Sequence, residues 1–577
     1  MHEGVYDFEE LLQLPVGQAS HVPEFLGPVE VTTVAGKGRG LVVTRDVSAG
    51  ELLFANRAFA VAKPSQLLEA TVRKLECPSR CSEEEFRSFF LLCSSSQGPV
   101  PELPQLTCRA RDQPEGPQSQ GSPVSQVSQG PLRPVNRSLV KAILAANAHE
   151  LDTSDVAGLQ SAPSEVSSLF LTASLVNHSC RPSAARVFLG DMMFVRAARD
   201  LRRGEEITDG YISVLQPVME RRADIRKRYG FDLNEDRGLV EAALLPEAEV
   251  LAVLRRMDEA ASLEDFQAIF EDITTLVQRG MLRLVGPSEP SCSAKVQGAA
   301  QRLGLGLERV LLAGAGAVPV LAATAAILDA DKADKEAARA YCRCCWIMEE
   351  LAPHNAYHAK WALEALLCAS RASLPLEDYV AYARKVLTYH IGPGTLETVL
   401  RCQLGKKRSG ALLDSSHVTH GELRMWPPGE VGITHQRRQT SNGDGEALDL
   451  QLHLDEAAPP NEVEISANQM LLYVRVRQKR VYLALPGSVV HGAQGRPVRL
   501  SKQGRRIQAS FHLQPALSLT QRDSSVISGV RWHLLSFVDL LLPRFRIFSK
   551  KGYGRNERWS RSYLSLRVAG SCIGSQS

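Results

Sequence analysis

A polar tetrapeptide, Asn177-His178-Ser179-Cys180, closes the apolar run from Leu169 to Val176. Two strand-like segments later comes a second polar string, Gly204-Glu205-Glu206-Ile207-Thr208, with Tyr211 just beyond it. Buried polar groups must find hydrogen-bond partners. Polar residues carried inward by an apolar run therefore point to a built site for a polar ligand, framed by strands, rather than to a plain surface turn.

The surrounding chain supports strands. Val29 to Phe59 reads as strands and turns, with Gly36-Lys37-Gly38-Arg39-Gly40 as a glycine-rich turn before Leu41-Val42-Val43. Ser48-Ala49-Gly50 makes a second turn before Glu51-Leu52-Leu53-Phe54. Ala185 to Leu189 and Met192 to Ala197 pattern as a hairpin turning at Gly190-Asp191, and Leu139 to His149 has helical spacing. Gln113 to Pro134 is rich in Ser, Gln, Pro and Gly and reads as a flexible insertion. After about Arg237 the period becomes helical, through Val250 to Arg283, Lys332 to Leu351, Tyr357 to Ala369 and Tyr379 to His390. Antiparallel helix pairs with short loops predict a bundle or solenoid. Val310 to Leu328 is uncharged and long enough to span a bilayer, which takes ~17–25 residues. It is mostly Ala and Gly, with Pro319 interrupting it, so buried helices with no membrane contact are expected.

With 577 residues, the chain has room for three or four domains at ~100–200 residues each. Twelve cysteines at irregular spacing are too sparse for a disulfide scaffold and predict reduced thiols in a cytoplasmic or nuclear protein. Met1 to Leu14 is acidic without an apolar centre, so no secretory signal is expected there. Leu471 to Ser577 carries 19 Lys and Arg against 3 Asp and Glu, so the net charge of +3 conceals an acidic remainder. Such a tail suits a nucleic-acid contact or a merely solvated surface.

Taken in order, Gly36 to Leu41, Asn177 to Cys180, and Gly204 to Thr208 with Tyr211 resemble the strings of a SET domain. With Glu51-Leu52-Leu53-Phe54, Ser174-Leu175-Val176 and Tyr229-Gly230-Phe231, the resemblance is to the SET-and-MYND branch of protein lysine methyltransferases. It covers roughly Pro23 to Phe231 apart from the insertion. His390 to Leu396 sits where that branch's helical domain places a helix-joining turn. The resemblance implies an α+β chain: a β-rich SET domain, an α-helical tetratricopeptide-like domain, and an unassigned basic C-terminal region. The expected divisions are an extension (1–20), the first part of the SET domain (21–60), a partly disordered insertion (61–135), the SET core with a degenerate post-SET segment (136–237), the helical domain (238–405), and a polar linker with basic tail (406–577).

The family implies S-adenosylmethionine as methyl donor and a lysine ε-amine, of a histone or another protein, as acceptor. Carried over by position, Lys37, Gly38 and Arg39 form the donor-contacting turn. Asn147 matches a donor-contacting asparagine, and Asn177 and His178 hold the donor's amino-acid and adenine parts. Tyr211 stands where methyl and amine meet, Tyr229 lines the lysine channel, and Phe231 packs against adenine. Tyr211 and Tyr229 are the catalytic candidates. Glycine lets backbone approach a ligand closely, and Asn and His offer paired donors and acceptors. A free lysine at pKa ≈ 10.4 costs about 4.6 kcal/mol to deprotonate at pH 7. An apolar channel beside a sulfonium lowers that cost. Tyr211 is expected to orient amine and methyl, not to act as base. Each residue taken alone has a plainer reading: a hairpin turn, core aromatics with satisfied hydroxyls, a helix cap at Asn147, a structural histidine.

The chain departs from the family in three places. The branch's zinc finger after Phe59 has only Cys77, Cys81, Cys93 and Cys108 to draw on, with no Cys-x-x-Cys pair. The three post-SET zinc cysteines are replaced by Leu233, Glu235 and Gly238, so no metal is expected with Cys180. Ser183 stands where asparagine is usual. Cys342, Cys344 and Cys345 suit helix packing better than metal.

Two further readings remain open. One is a catalytically weak SET-fold protein that binds peptides on its helical domain. In the other, His453, Asp455 and His491 hold iron, with Arg505 or Arg506 for an oxoacid. A monomer is expected.

Overall fold

The computed structural model describes residues 6–14, 21–92, 132–150, 166–284 and 292–414, positions 18 and 106, and paired strands between 432 and 514. Most of the Gln113 to Pro134 insertion lies outside the described residues, as do Cys93 and Cys108.

A short helix, α1 (Phe8–Gln13), precedes the strands β1 (Phe25–Leu26), β2 (Val29–Val34), β3 (Gly38–Val43), β4 (Leu52–Arg57) and β5 (Ala60–Ala62). Helices α2 (Leu67–Glu76), α3 (Glu83–Phe90) and α4 (Arg137–Asn147) follow. Then come β6 (His149–Glu150), β7 (Ser167–Leu169), β8 (Asn177–His178), β9 (Ala184–Leu189), β10 (Met192–Ala197) and β11 (Glu206–Asp209). They form three small sheets, ordered β1-β4-β10-β9, β2-β3-β11-β8 and β5-β7-β6. The hairpins expected at Gly36–Gly40 and Gly190-Asp191 are present. Gly36, Gly38 and Gly190 take φ of 74°, 79° and 58°, the left-handed region that glycine enters without a Cβ clash. The apolar runs of β3 and β4 are buried on both faces, with Leu41, Val43, Leu53 and Phe54 at 0% exposure.

Helix α5 (Val218–Tyr229) ends the β-rich half, and α6 (Asp236–Leu244) opens the helical one. The periodic stretch 250–283 forms two helices, α7 (Glu247–Glu259) and α8 (Leu263–Arg283). They part at Ser262, whose hydroxyl accepts from the Asp265 amide while the Asp265 carboxylate accepts from the Ser262 amide. After α9 (Ala294–Leu303), the uncharged stretch forms α10 (Leu307–Gly314) and α11 (Ala317–Ala330), bent by 75°. The break falls at Gly316, with φ 89°, and not at Pro319. Pro319 lies in the first turn of α11, where an amide has no helical partner to lose. No single described helix is long and apolar enough to cross a membrane, and Val310, Leu311, Val318 and Val320 are fully buried.

Helices α12 (Asp334–Leu351), α13 (Ala356–Arg371), α14 (Glu377–His390) and α15 (Thr395–Asp414) each pack on the next. Cys342, Cys344 and Cys345 are core residues of α12. The turn His390–Leu396 joins α14 to α15, with Gly394 at φ 76°. Gly405 breaks α15 with φ 76° and ψ 160°.

Strands also occur in the region expected to be polar linker: β12 (Gly432–Gln439), β13 (Glu446–His453) and β14 (Val463–Ala467) begin before Leu471. β15 (Leu471–Val476), β16 (Lys479–Ala484), β17 (Ser488–Val489), β18 (Arg499–Leu500) and β19 (Arg506–Gln514) follow. His453 and Arg506 are register partners on β13 and β19. Asp455, His491 and Arg505, the rest of the candidate iron set, lie outside the described residues.

One hydrophobic core crosses the seam between the two halves and joins Phe8 and Leu11 of α1, Phe194 of β10 and Leu387 of α14. Arg196, fully buried on β10, donates to the carbonyls of Gly50 at 3.1 Å and Ile391 at 3.3 Å, and its guanidinium lies over the Phe8 ring. Behind this seam lie three buried histidines. His358 Nδ1 accepts the His354 amide at 3.0 Å, which leaves the proton on Nε2, 2.8 Å from Tyr382 Oη. That hydroxyl donates to Glu349 Oε1. Burial, then the charges of Lys385 and His390, lowers the His358 pKa to about 3. Burial lowers His390 to about 4, against a hydrogen bond to the His354 backbone that raises it.

Both folded-state values lie below the unfolded value near 6.5, so the unfolded chain binds more protons as pH falls. Their contribution is complete above pH 6.5 and is lost from 6.5 down to about 4 for His390 and about 3 for His358. Unfolding at pH 5 is expected to cost about 2 kcal/mol less per histidine than at pH 7, read by chemical denaturation. A flat profile over that range contradicts the neutral buried state.

Candidate active site

The two polar strings of the sequence meet on adjacent strands. β8 runs parallel to β11, pairing Asn177 with Thr208 and His178 with Asp209. β11 pairs on its other side with β3. Residues far apart in the chain thus share one sheet edge.

Asn177 Nδ2 donates to the Arg39 carbonyl at 2.9 Å and to Glu206 Oε1 at 2.8 Å. Both neighbours accept only, so the amide nitrogen is fixed on their side and its oxygen faces away from them. Glu206 Oε2 takes Lys37 Nζ at 2.8 Å. One carboxylate therefore ties Lys37 to Asn177. Glu206 is a site residue that sequence reading passed over; its place in Gly204-Glu205-Glu206 was a signal for the string, not for this role. Gly40 is required here, since a Cβ would lie 2.7 Å from Asn177 Nδ2 and 2.8 Å from Val34 Cγ2. Ser183, where the resemblance led one to expect asparagine, is fully buried. It accepts the Thr208 amide on Oγ at 2.8 Å and donates to the Glu206 carbonyl at 3.0 Å, so it locks β11 in place.

His178 Nδ1 accepts the backbone amide of Tyr211 at 3.1 Å. The ring proton is therefore on Nε2, which lies 3.5 Å from Cys180 Sγ. Burial, followed by the charges of Arg221, Lys37 and Arg237, lowers the His178 pKa to about 3, so the ring is neutral. Burial raises the pKa of the Cys180 thiol, which stays protonated. Tyr211 Oη donates to the Val176 carbonyl at 2.6 Å.

Helix α5 ends at Gly230, whose φ of 76° reverses the chain. That reversal sets Tyr229 and Phe231 beside the strands. The Tyr211 ring lies 4.9 Å from Tyr229 and 5.3 Å from His178, and Phe231 lies 6.2 Å from His178 and 6.4 Å from Tyr229. Phe231 is 40% exposed, so this aromatic group opens to solvent. Lys37, Arg39 and Asn177 are thus linked through Glu206 and hydrogen bonds, His178, Tyr211, Tyr229 and Phe231 through a hydrogen bond and ring contacts, and the Asn177-His178 peptide joins the two groups. Gly38 supplies the turn that leads into Arg39. Asn147 ends α4, its amide donating to the Ile143 carbonyl at 2.7 Å. Its helix packs into the core that holds Leu175 and Val176.

The positions that would carry the post-SET cysteines serve other purposes. Leu233 packs with Cys180, Ile212 and Ile225. Glu235 hydrogen-bonds to the Cys180 amide, and Gly238 lies in α6. Among the described residues, Asp329, Asp334 and Cys368 place ligand atoms within 4.8 Å of one another. Arg371 already supplies the cation there, bound to both carboxylates.

Gly40→Ala is expected to displace the Asn177 amide and to destabilise the chain by about 1–3 kcal/mol, measured by denaturant titration. Wild-type stability would contradict the close approach.

The sequence model of the SET domain family matches residues 38–212. Over 66 residues, 11% of this chain and 15% of the relative, the sequence is 42% identical to human histone-lysine N-methyltransferase SMYD3. It is 29% identical over 111 residues to human N-lysine methyltransferase SMYD2, covering 18% of this chain and 26% of the relative. With chicken (Gallus gallus) SMYD2 the identity is 26% over 254 residues, 36% of this chain and 58% of the relative. The chain spans less than two thirds of the length of each of these relatives. Residues 38–212 match the SET domain family, and parts of the chain are similar to the SMYD lysine methyltransferases.

Proposed function

We propose that the chain is a protein lysine N-methyltransferase that uses S-adenosylmethionine. The reading rests on one observation above all. Asn177 and His178 from one string and Tyr211 from the next meet on adjacent strands, held by hydrogen bonds, and the His178 and Tyr211 rings join an aromatic group that opens to solvent.

The residues suit such a donor. The Asn177 amide oxygen faces away from the two acceptors that hold its nitrogen, and it suits an ammonium or adenine amine as donor. The neutral His178 ring adds no positive charge that would repel a sulfonium. Aromatic faces at Tyr211, Tyr229 and Phe231 favour a cation nearby. Gly40, with no Cβ, lets the Asn177 amide close on the backbone of β3. When bound, S-adenosylmethionine supplies a methyl group on a positively charged sulfur.

The chain's own work is then to desolvate and orient an amine. The acceptor lysine must lose a proton first. A lysine chain laid between the Tyr211 and Tyr229 rings gives up water on those sides, which disfavours its ammonium form. The Tyr211 hydroxyl is bound to the Val176 carbonyl at 2.6 Å, which holds the ring at a fixed angle. No described residue at the site is placed as a strong base, so the proton goes to water. Positioning for in-line transfer supplies the rate.

The purified chain, incubated with labelled S-adenosylmethionine and mixed core histones, is expected to transfer label. Tyr211→Phe should keep donor binding by calorimetry and lose about 10- to 100-fold in transfer. Absence of donor binding by the wild-type chain would defeat the reading.

A further inference from the structure

The segment after Tyr229 grips the peptide groups of Cys180 from both ends. Glu235 Oε2 accepts the Cys180 amide at 2.7 Å and the Ser179 hydroxyl at 3.1 Å. Arg237 Nη1 donates to the Cys180 carbonyl at 2.8 Å, and its Nη2 donates to the Val214 carbonyl at 2.6 Å. Arg237 Nε is held by Glu241 Oε1 at 2.8 Å, and the other oxygen of Glu241 pairs with Arg221. The side chains of Arg221, Arg237 and Glu241 are all fully buried.

Stability does not account for this arrangement. A buried ionic triad loses hydration that apolar packing of the same volume would not have to replace. What the triad provides is direction, because guanidinium forks fix the atoms they bind. The atoms fixed here adjoin the site. The Cys180 thiol lies against His178 Nε2, and His178 Nδ1 takes the Tyr211 amide. Arg237 also holds Val214, three residues beyond Tyr211, so both strings are tied to one side chain.

We propose that Glu235 and Arg237 are positioning residues for the donor pocket: by clamping the Cys180 amide and carbonyl, they set His178 and Tyr211 against each other. The inference rests on the methyltransferase reading above. It gives the segment after Phe231 a task that requires no metal ion, carried out by a carboxylate and a guanidinium.

The test uses the full chain and calorimetric affinity for S-adenosylmethionine, with a thermal melt to confirm folding. Arg237 is too deeply buried to substitute safely, so Glu235 carries the test. Glu235→Ala is expected to melt as a folded protein and to bind the donor about 10-fold more weakly. Glu235→Gln keeps an acceptor oxygen for the Cys180 amide and should restore most of that loss. Asp236→Ala, which breaks only the exposed pair with Arg302, serves as control and should bind as wild type. Wild-type affinity in Glu235→Ala, or no rescue by glutamine, would overturn this inference alone. No binding by the wild-type chain would overturn the methyltransferase reading, and this inference with it.

Discussion

The neutral imidazole of His178 is the constraint on which the site depends. Its Nδ1 must remain a bare acceptor, because the Tyr211 amide has been taken out of water to reach it. A protonated ring would carry N–H on both nitrogens and set the new Nδ1 proton against that amide. Burial and three nearby cationic side chains keep the proton away. The same logic recurs at His358, whose Nδ1 accepts a backbone amide and whose Nε2 faces a tyrosine hydroxyl. In both places a histidine serves as a directional hydrogen-bonding part and not as a titrating one.

Electrostatics at the other end of the site depend on a single acid. Glu206 has one oxygen on Asn177 and the other on Lys37. Through it the glycine turn of the β2–β3 hairpin and the Asn-His-Ser-Cys string become one unit. The lysine of that turn is 37% exposed, so its pairing is the softer half of the link, while the amide of Asn177 is the firmer.

Much of this was legible in the residues. Glycines at 36, 38 and 190 announced turns because only glycine enters those backbone angles cheaply, and the apolar runs at 41–43 and 52–54 announced buried strands. What was not legible has identifiable physical causes. The division of 250–283 rests on a capping box at Ser262 that leaves the apolar period on both sides undisturbed. Pro319 was read as the interruption of the apolar stretch, yet proline is harmless in a first helical turn, and the bend fell to Gly316. Nothing in the spacing of Glu206, Glu235 or Arg237 announces the partners they take. A carboxylate that reaches a backbone amide across 55 residues is invisible until the chain is folded. The strands before Leu471 were missed although Leu448, Leu450 and Leu452 alternate with polar residues, because the polar, Gly-rich composition of the whole stretch outweighed that short period-2 signal.

Helix α1 has its partners at the far end of the chain. Phe8 packs on Phe194 and fills the space over Gly392, and Glu9 pairs with Arg401, 392 residues away. During ribosomal synthesis at about 5–20 residues per second, the apolar face of this first helix emerges roughly 20–80 s before the surface that will cover it. Throughout that interval the nascent chain presents Phe8, Leu11 and Leu12 to solvent, which makes this helix a long-standing invitation to a chaperone.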